Sequence, residues 1–433
     1  MILPLRPSSL ATVELIMNRK SDNTSHARRI GVVCYFDPDT YPGVVNSCNC
    51  LVKSGWEVDL VCIDQYGFGG QVFDDRVRIQ RLPISSSGAL SNLRRYMRLL
   101  RTARCVGKNR NWQFMIGHDM HGFIAARACR VVSPERVVFW SQDMAEPSRL
   151  TFTKRVLYMV KRRLLKSCVL AIAASQSRSE AMQKYLPLNS KPLVVYNSPP
   201  MEVPNVPSQN LRLHLGIAEE AVIGVYTGGI GRNRYVPEMV ESVKYWPENC
   251  HLVVVGYGNK DVIAEIKRIA SSATMKSRVH ILPHQPSVWS LLTEADFGIS
   301  LFELDKGHRN LLHRGLASNK IFEYIAFGNP AIVTENSETR AFMEKFGCGV
   351  CVALPNPGDI ALKVREIVEN RERLAVMSAN AAMTHRAETH FEKRWRGIQQ
   401  ILDSGDLTRR PKAEPAESGV MTTGGIQCGT VNL

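Results

Sequence analysis

Two doubly wound, Rossmann-like α/β domains facing a cleft are the fold this sequence predicts, on three observations. Its 433 residues exceed the roughly 250–300 that a single hydrophobic core usually holds. From residue 30 onward short apolar runs alternate with amphipathic helical segments. The alternation stops at a Pro-rich polar stretch, EVPNVPSQN, and then restarts. Because the runs are apolar throughout, they belong to parallel strands covered by helices on both faces.

The first series comprises RIGVVCYF (29–36), WEVDLVCI (56–63), FMIGHD (114–119), RVVFWS (136–141), VLAIAAS (169–175) and LVVYN (193–197). The second comprises VIGVYTG (222–228), HLVVVG (251–256), RVHIL (278–282), DFGISLF (296–302), PAIVT (330–334) and GVCVAL (349–354). PEMVESVKYW (237–246) reads as a helix with proline in its first turn, where the missing N–H costs nothing. The expected domains are an extension at 1–28, an N-terminal domain at 29–200, a linker at 201–209, a C-terminal domain at 210–385, a C-terminal helix at 386–403 and a disordered tail at 404–433. In open parallel sheets ligands bind beyond the carboxyl ends of the strands, so the loops after each apolar run are the places to search.

Composition narrows the partners. Residues 1–205 hold 29 Lys+Arg against 15 Asp+Glu, a net of +14, whereas residues 206–433 hold 26 against 25, a net of +1. No acid occurs from 76 to 118, around LRRYMRLLRTARCVGKNR, or from 147 to 179, around LTFTKRVLYMVKRRLLKS. Both read as basic amphipathic helices, with apolar positions at Leu93, Tyr96 and Leu100 and at Val156, Val160 and Leu164. That pattern fits an anionic membrane surface. No recognised nucleic-acid module accompanies it, so nucleic acid is not expected. The chain has no run of about 20 apolar residues and no cleavable leader pattern. Its eleven cysteines are scattered apart from one CxxC (Cys348 and Cys351) and read as reduced, buried thiols. A cytoplasmic protein, peripheral on the inner face of a membrane, is the expectation.

Three loops carry chemistry. GGIGRNRY follows the first strand of the second domain and supplies Gly228, Gly229, Arg232 and Arg234 ahead of a helix. Glycines there let the backbone approach a phosphate, although the spacing matches neither a dinucleotide fingerprint nor a P-loop. Gly256 in VVVGYGNK lies at a second strand end. The third is DKGHRNLLHRGLA running into SNKIFEYIAFGNPAIVTE, where Lys306, His308, Arg309, His313 and Arg314 precede a helix with Ser318 as its expected N-cap. Lys320 then stands in the first turn, at the positive end of the helix dipole. So much positive charge in one place calls for an anion, and a diphosphate fits. Glu323, one turn on along the same face, is placed to accept from sugar hydroxyls.

The stretch SNKIFEYIAFGNPAIVTE resembles the signature of glycosyltransferase family 4, retaining enzymes of the GT-B fold. The resemblance extends over roughly residues 30–400 through YTGGIGRNRYVPEMVESV, LVVVGYG, EADFGISLF and AIAASQSRSEAMQKY followed by VVYNSPP. It implies a nucleotide-diphosphate sugar as donor, Lys320 and Arg234 at the diphosphate, Glu323 at the ribose, and no cofactor or obligatory metal; Asn319, in the same motif, joins the donor-binding residues. Two positions depart from the family pattern. Gly315 stands where many members carry a second glutamate, and Gly229 where they carry an arginine; Arg232, Arg309 or Arg314 is then expected to compensate.

In the N-terminal domain FMIGHDMHG puts His118 and Asp119 at a strand end. The resemblance implies that His118 contacts the transferred sugar or the acceptor, and Asp119 is paired with it as a catalytic candidate. Asp143 and Glu146 follow the next strand, and Asp37-Pro38-Asp39 reads as a turn rather than a metal site. The expected activity is transfer of a sugar with retention to a saccharide or lipid-linked acceptor, as in polysaccharide assembly. A GT-B sugar-nucleotide epimerase and an inactive sugar-nucleotide-binding protein are the alternatives.

Overall fold

The computed structural model describes residues 27–409 except 65–72, 85–87, 204–209, 286 and 306. Nearly all of the expected extension, most of the linker and of the tail, and Lys306 therefore lie outside the described residues. Two parallel sheets form, as the continuous apolar runs require. The first joins β1 (Arg28–Val33), β2 (Trp56–Asp64), β3 (Arg78–Pro83), β4 (Phe114–His118), β5 (Val137–Ser141), β6 (Ala171–Ala173) and β7 (Leu193–Val194) in the order β3-β2-β1-β4-β5-β6-β7. The second joins β8 (Val222–Thr227), β9 (Cys250–Val255), β10 (Val279–Leu282), β11 (Phe297–Ser300), β12 (Ala331–Thr334) and β13 (Gly349–Val352) in the order β10-β9-β8-β11-β12-β13.

Only β3 escapes the sequence reading. Its RIQRLP carries charge on an exposed edge, and Leu82 is its one buried side chain, so no apolar run marks it. Every other strand lies within two or three residues of its expected place.

Helices cover both faces of each sheet. On the first, helix Pro42–Lys53 and the C-terminal helix Phe391–Ser404 bury one face, and Trp395 stacks on Trp140 at 5.4 Å. The C-terminal helix thus returns from the second domain and completes the core of the first. On the other face lie helices Ala89–Arg110, Asp119–Ala128, Phe152–Leu165 and Gln176–Tyr185, which contribute Leu99, Phe123, Tyr158 and Met182 to one cluster.

The acid-free helices are only partly as their sequence suggests. Lys161, one of the cations of the second acid-free stretch, is 4% exposed, with its ammonium over the rings of Tyr158 (4.8 Å) and Phe139 (5.6 Å). Burial lowers its pKa to about 8, against the attraction of Asp119. Tyr96, Leu100 and Leu164 pack inward against the same core, whereas Leu93, Val156 and Val160 stay exposed.

Candidate functional site

A cavity of about 1050 Å³ opens between the domains. Thr227, Gly228, Asn319, Lys320 and Glu323 line it from the C-terminal domain, Asn46, Lys53 and Asp74 from the N-terminal domain, and Glu392 and Arg396 from the returning helix.

Its C-terminal wall depends on glycines. Gly228 has φ +106°, and a Cβ there would meet Lys320 Cε at 2.7 Å. A Cβ on Gly256 would lie 1.8 Å from the Gly228 carbonyl oxygen, and one on Gly258 2.0 Å from that of Ile230. The loops after β8 and β9 therefore touch backbone to backbone. Gly229 has open space above its Cα, and its carbonyl accepts from the Tyr226 hydroxyl.

Helix Asn319–Ala326 buries Ile321, Phe322, Tyr324 and Ile325 and turns Lys320 and Glu323 to the cavity. Tyr324 donates to the carbonyl of Ile299 in β11 (3.3 Å) and accepts from the Thr227 amide (3.2 Å), which fixes the helix against two strands. Ser318 is the N-cap residue, but its hydroxyl faces that of Ser300 (3.2 Å) and makes no capping bond. The Lys320 ammonium lies 4.6 Å from the centre of the Tyr226 ring and 3.4 Å from its hydroxyl.

Lys320 and Glu323 remain part-exposed, yet protein surrounds their charged ends at the cavity floor. Burial, with Arg234 and Arg314 adding repulsion, holds the Lys320 pKa well below the ordinary lysine value; Glu323 opposes this. Burial likewise brings Arg314 down to about 9, with Arg234 and Arg178 contributing. Its Nη1 is buried without a hydrogen-bond partner. Glu323 is raised to about 7 by burial, against the pull of Lys320. Lys320, Arg234 and Arg314 thus converge, and that convergence favours an anion.

The other expected cations lie elsewhere. Arg232, 68% exposed at its side chain, pairs with Glu265 at 2.7 Å. Arg309 stacks on Tyr185 of the N-terminal domain (4.2 Å) and pairs with Glu146 (3.5 Å). Neither is drawn into the cluster around Lys320, because each has a partner on another surface. Of the three proposed compensating arginines, only Arg314 is beside Lys320.

Arg309 belongs to a seam that closes the domains together. The buried Arg178 donates to the carbonyls of Gln142 and His313 and to Asn310 Oδ1 (2.8 Å). Asn310 also accepts from the Met144 amide (3.1 Å) and donates to Asp143 (3.1 Å), while His313 Nδ1 meets the Ser177 hydroxyl at 2.8 Å. Glu338 accepts from the amides of Gln176 (2.8 Å), Ser177 (3.2 Å) and Leu316 (3.2 Å). It also explains Gly315, whose φ is +34° and whose Cβ would lie 2.2 Å from Glu338 Oε2. The space a side chain at 315 would take is already filled. Glu338→Ala is expected to strand three amides at about 1–3 kcal/mol each where water cannot reach them, and to loosen the seam. A larger radius of gyration by small-angle scattering, with a raised donor KM, checks it; an unchanged radius contradicts it.

His118 ends β4 and is completely buried, 4.9 Å from the Trp140 ring and 6.1 Å from Phe36. Burial lowers its pKa to about 3, and neither ring nitrogen has a partner. Asp119 has the left-handed φ of +51°, a strained value for a residue with a side chain. Its Oδ1 accepts from the amides of Gln142 (2.7 Å) and Asp143 (3.1 Å), and burial and the Asp143 charge raise its pKa to about 7. Asp119 thereby holds the loop that carries the seam. Asp37 caps the 38–40 turn, and Arg81 pairs with both Asp37 (3.5 Å) and Asp39 (2.7 Å). Among the described residues no three His, Cys, Asp or Glu side chains converge to hold a metal ion.

Sequence reasoning missed Tyr226, Arg178, Asn310 and Glu338. Tyr226 had a weak signal, as the aromatic residue before Thr-Gly-Gly. The seam residues had none, since their partners on the other domain lie 132 to 167 positions away.

The profile of a family described as glycosyl transferases group 1 matches residues 208–384, and that of a glycosyl transferase 4-like domain matches residues 42–197. No curated protein matches the chain in sequence. Among solved structures, HepE from Anabaena in complex with UDP and glucose superposes with a TM-score of 0.66 at 16% identity, over 88% of this chain and 100% of that one. Sucrose-phosphate synthase from Thermosynechococcus elongatus gives 0.68 at 13% identity, over 87% and 98%. WaaG, a glycosyltransferase involved in lipopolysaccharide biosynthesis, gives 0.61 at 14%, over 86% and 99%. At such identities the likeness is one of fold, the GT-B architecture.

Proposed function

From the premise that the chain is a glycosyltransferase of the GT-B type, built from a 4-like domain and a group 1 domain, we propose that it transfers a sugar from a nucleotide-diphosphate donor to an acceptor hydroxyl with retained anomeric configuration. One observation carries the reading: Lys320, in the first turn of helix Asn319–Ala326, lines the interdomain cavity, with Arg234 and Arg314 near enough to repel its ammonium. A diphosphate supplies the negative charge this corner favours. The bond from the anomeric carbon to the diphosphate oxygen breaks, and charge grows on that oxygen. The three cations and the first-turn amides stabilise it without reorganising. The new bond forms on the same face, and the proton of the acceptor hydroxyl passes to the departing phosphate oxygen. Glu323 orients the donor through its ribose hydroxyls. His118, with both ring nitrogens unpartnered, is the candidate contact for the transferred sugar or the acceptor, although it is buried and outside the residues that line the cavity, and Asp119 positions the loop beside it. No separate cofactor enters this scheme.

The acceptor is a saccharide, either lipid-linked or part of a growing polysaccharide, met by the basic N-terminal domain on the cytoplasmic face of a membrane. The experiment is a screen of nucleotide sugars by thermal stabilisation, since a ligand at 100 times its Kd adds about 2.7 kcal/mol. A hit is then incubated, radiolabelled, with and without saccharide acceptors. Transfer with retained configuration by NMR supports the reading, whereas labelled epimer without acceptor overturns it. Glu323→Gln is expected to leave the helix intact and to raise the donor KM about tenfold or more. Wild-type turnover in that variant removes the ribose assignment.

A further inference from the structure

The two acid-free helices make a surface that the donor site does not use. Helices Ala89–Arg110 and Phe152–Leu165 lie on either side of Asp119–Ala128 and both pack on it. The middle helix is mostly buried, so the outer two stand as ridges. Helices that follow parallel strands begin at the strands' carboxyl ends, so both ridges start beside the cleft. Two contacts bear this out. Tyr35, just after β1, donates to the carbonyl of Asn92 (3.1 Å), and Arg149, just ahead of the second ridge, pairs with Asp305 across the cleft (2.7 Å).

Each ridge exposes apolar side chains in its first turns. Leu90, Leu93 and Met97 are 62%, 57% and 41% exposed, and Phe152, Val156 and Met159 are 82%, 45% and 65% exposed. Exposed cations flank them: Arg94, Arg98 and Arg101 on the first helix, and Lys154, Arg155, Arg163 and Lys166 on the second. No carboxylate occurs anywhere from 76 to 118 or from 147 to 179. Apolar tips within a field of unopposed positive charge match an anionic lipid bilayer, with headgroups on the cations and acyl chains around the tips. Among the described residues no helix is long and apolar enough to cross a membrane, so the contact is interfacial.

We propose that these ridges dock the protein on an anionic bilayer, with the mouth of the cleft facing the lipid, and that the acceptor is an amphiphile presented in the plane of the membrane. The proposal rests on the transferase reading for its acceptor and on the two ridges alone for the docking. Lys161 takes no part, being buried beneath the second ridge.

The test is co-sedimentation of the full chain with vesicles of phosphatidylcholine alone and of phosphatidylcholine with phosphatidylglycerol. Wild type is expected on the mixed vesicles only, with binding that falls steeply as salt rises. A variant with Lys154, Arg155, Arg163 and Lys166 changed to glutamine is expected to partition roughly 100- to 1000-fold less, at about 1 kcal/mol per cation. A second variant, Phe152→Ser with Met159→Ser, is expected to lose about tenfold or more while keeping its salt dependence. Lys161→Gln is expected to lower the melting temperature and to leave the salt dependence of sedimentation unchanged. Unchanged melting and unchanged nucleoside-diphosphate binding in the first two variants establish that each is folded. Equal sedimentation of wild type and the four-cation variant overturns the docking, as does tighter binding to duplex RNA than to the mixed vesicles. Docking without sugar transfer to any amphiphile sinks the amphiphilic acceptor and spares the surface; transfer to a soluble acceptor without docking sinks the surface and spares the transferase reading.

Discussion

Lys320→Met is expected to weaken nucleoside-diphosphate binding roughly 10- to 100-fold, the loss of one charge-assisted hydrogen bond of about 1.5–3 kcal/mol, while leaving the free protein as stable as before or slightly more so. The two effects have one cause. In the free protein the ammonium is desolvated and repelled by Arg234 and Arg314, and the attraction of Glu323 offsets this only in part. Methionine keeps much of the volume and removes the charge. Isothermal titration and thermal melting measure the two quantities, and a variant that binds the nucleoside diphosphate like wild type sinks the assignment. The same geometry predicts a proton coupling. A bound diphosphate raises the Lys320 pKa, so the complex holds more protons than the free protein and binding takes up protons. Affinity therefore falls as pH rises through the depressed pKa of the free protein. Titrations in buffers of different ionisation enthalpy reveal the uptake, and proton release contradicts it.

Gly256→Ala carries the other large effect. The added methyl would sit 1.8 Å from the Gly228 carbonyl oxygen, and backbone, not a flexible side chain, stands in its way. The loops after β8 and β9 must separate, at a cost of about 1–3 kcal/mol or more for overpacking. Because a Cβ on Gly228 would lie only 2.7 Å from Lys320 Cε, the two residues are close neighbours, and the separation is expected to displace the ammonium from its place over Tyr226. Gly256→Ala is thus expected to lose both stability and nucleoside-diphosphate affinity, whereas Gly229→Ala, with open space above it, loses neither by sterics. Denaturant unfolding of the two variants checks the contrast; equal stabilities would contradict it.

The legible part of this protein is its local physics. Continuous apolar runs marked twelve strands, since a parallel strand buried on both faces has no polar side to show. Charge on an exposed edge concealed the thirteenth, β3. The cluster at the first turn of Asn319–Ala326 was legible for a similar reason. Lys320 and Glu323 lie one turn apart on one helix, and helical spacing alone puts them on one face. Arg234 was legible as part of the loop after β8. Arg309 and Arg232 look equivalent to it in sequence, but each has a partner 33 or more positions away that the chain order does not disclose.

By itself, then, the sequence determined two parallel-sheet domains, a lysine and a glutamate on one face of a helix's first turns and a basic N-terminal half, because periodicity and charge are properties of neighbouring residues. Tertiary structure alone decided which cations meet, with Arg314 in and Arg232 and Arg309 out. It alone set Glu338 over Gly315, closed the seam through Arg178 and Asn310, buried Lys161 and left Phe152 and Leu93 in the open. Each of these depends on residues distant in the chain competing for one space. That competition is settled by packing, where a carboxylate or a ring excludes whatever else the sequence would allow there.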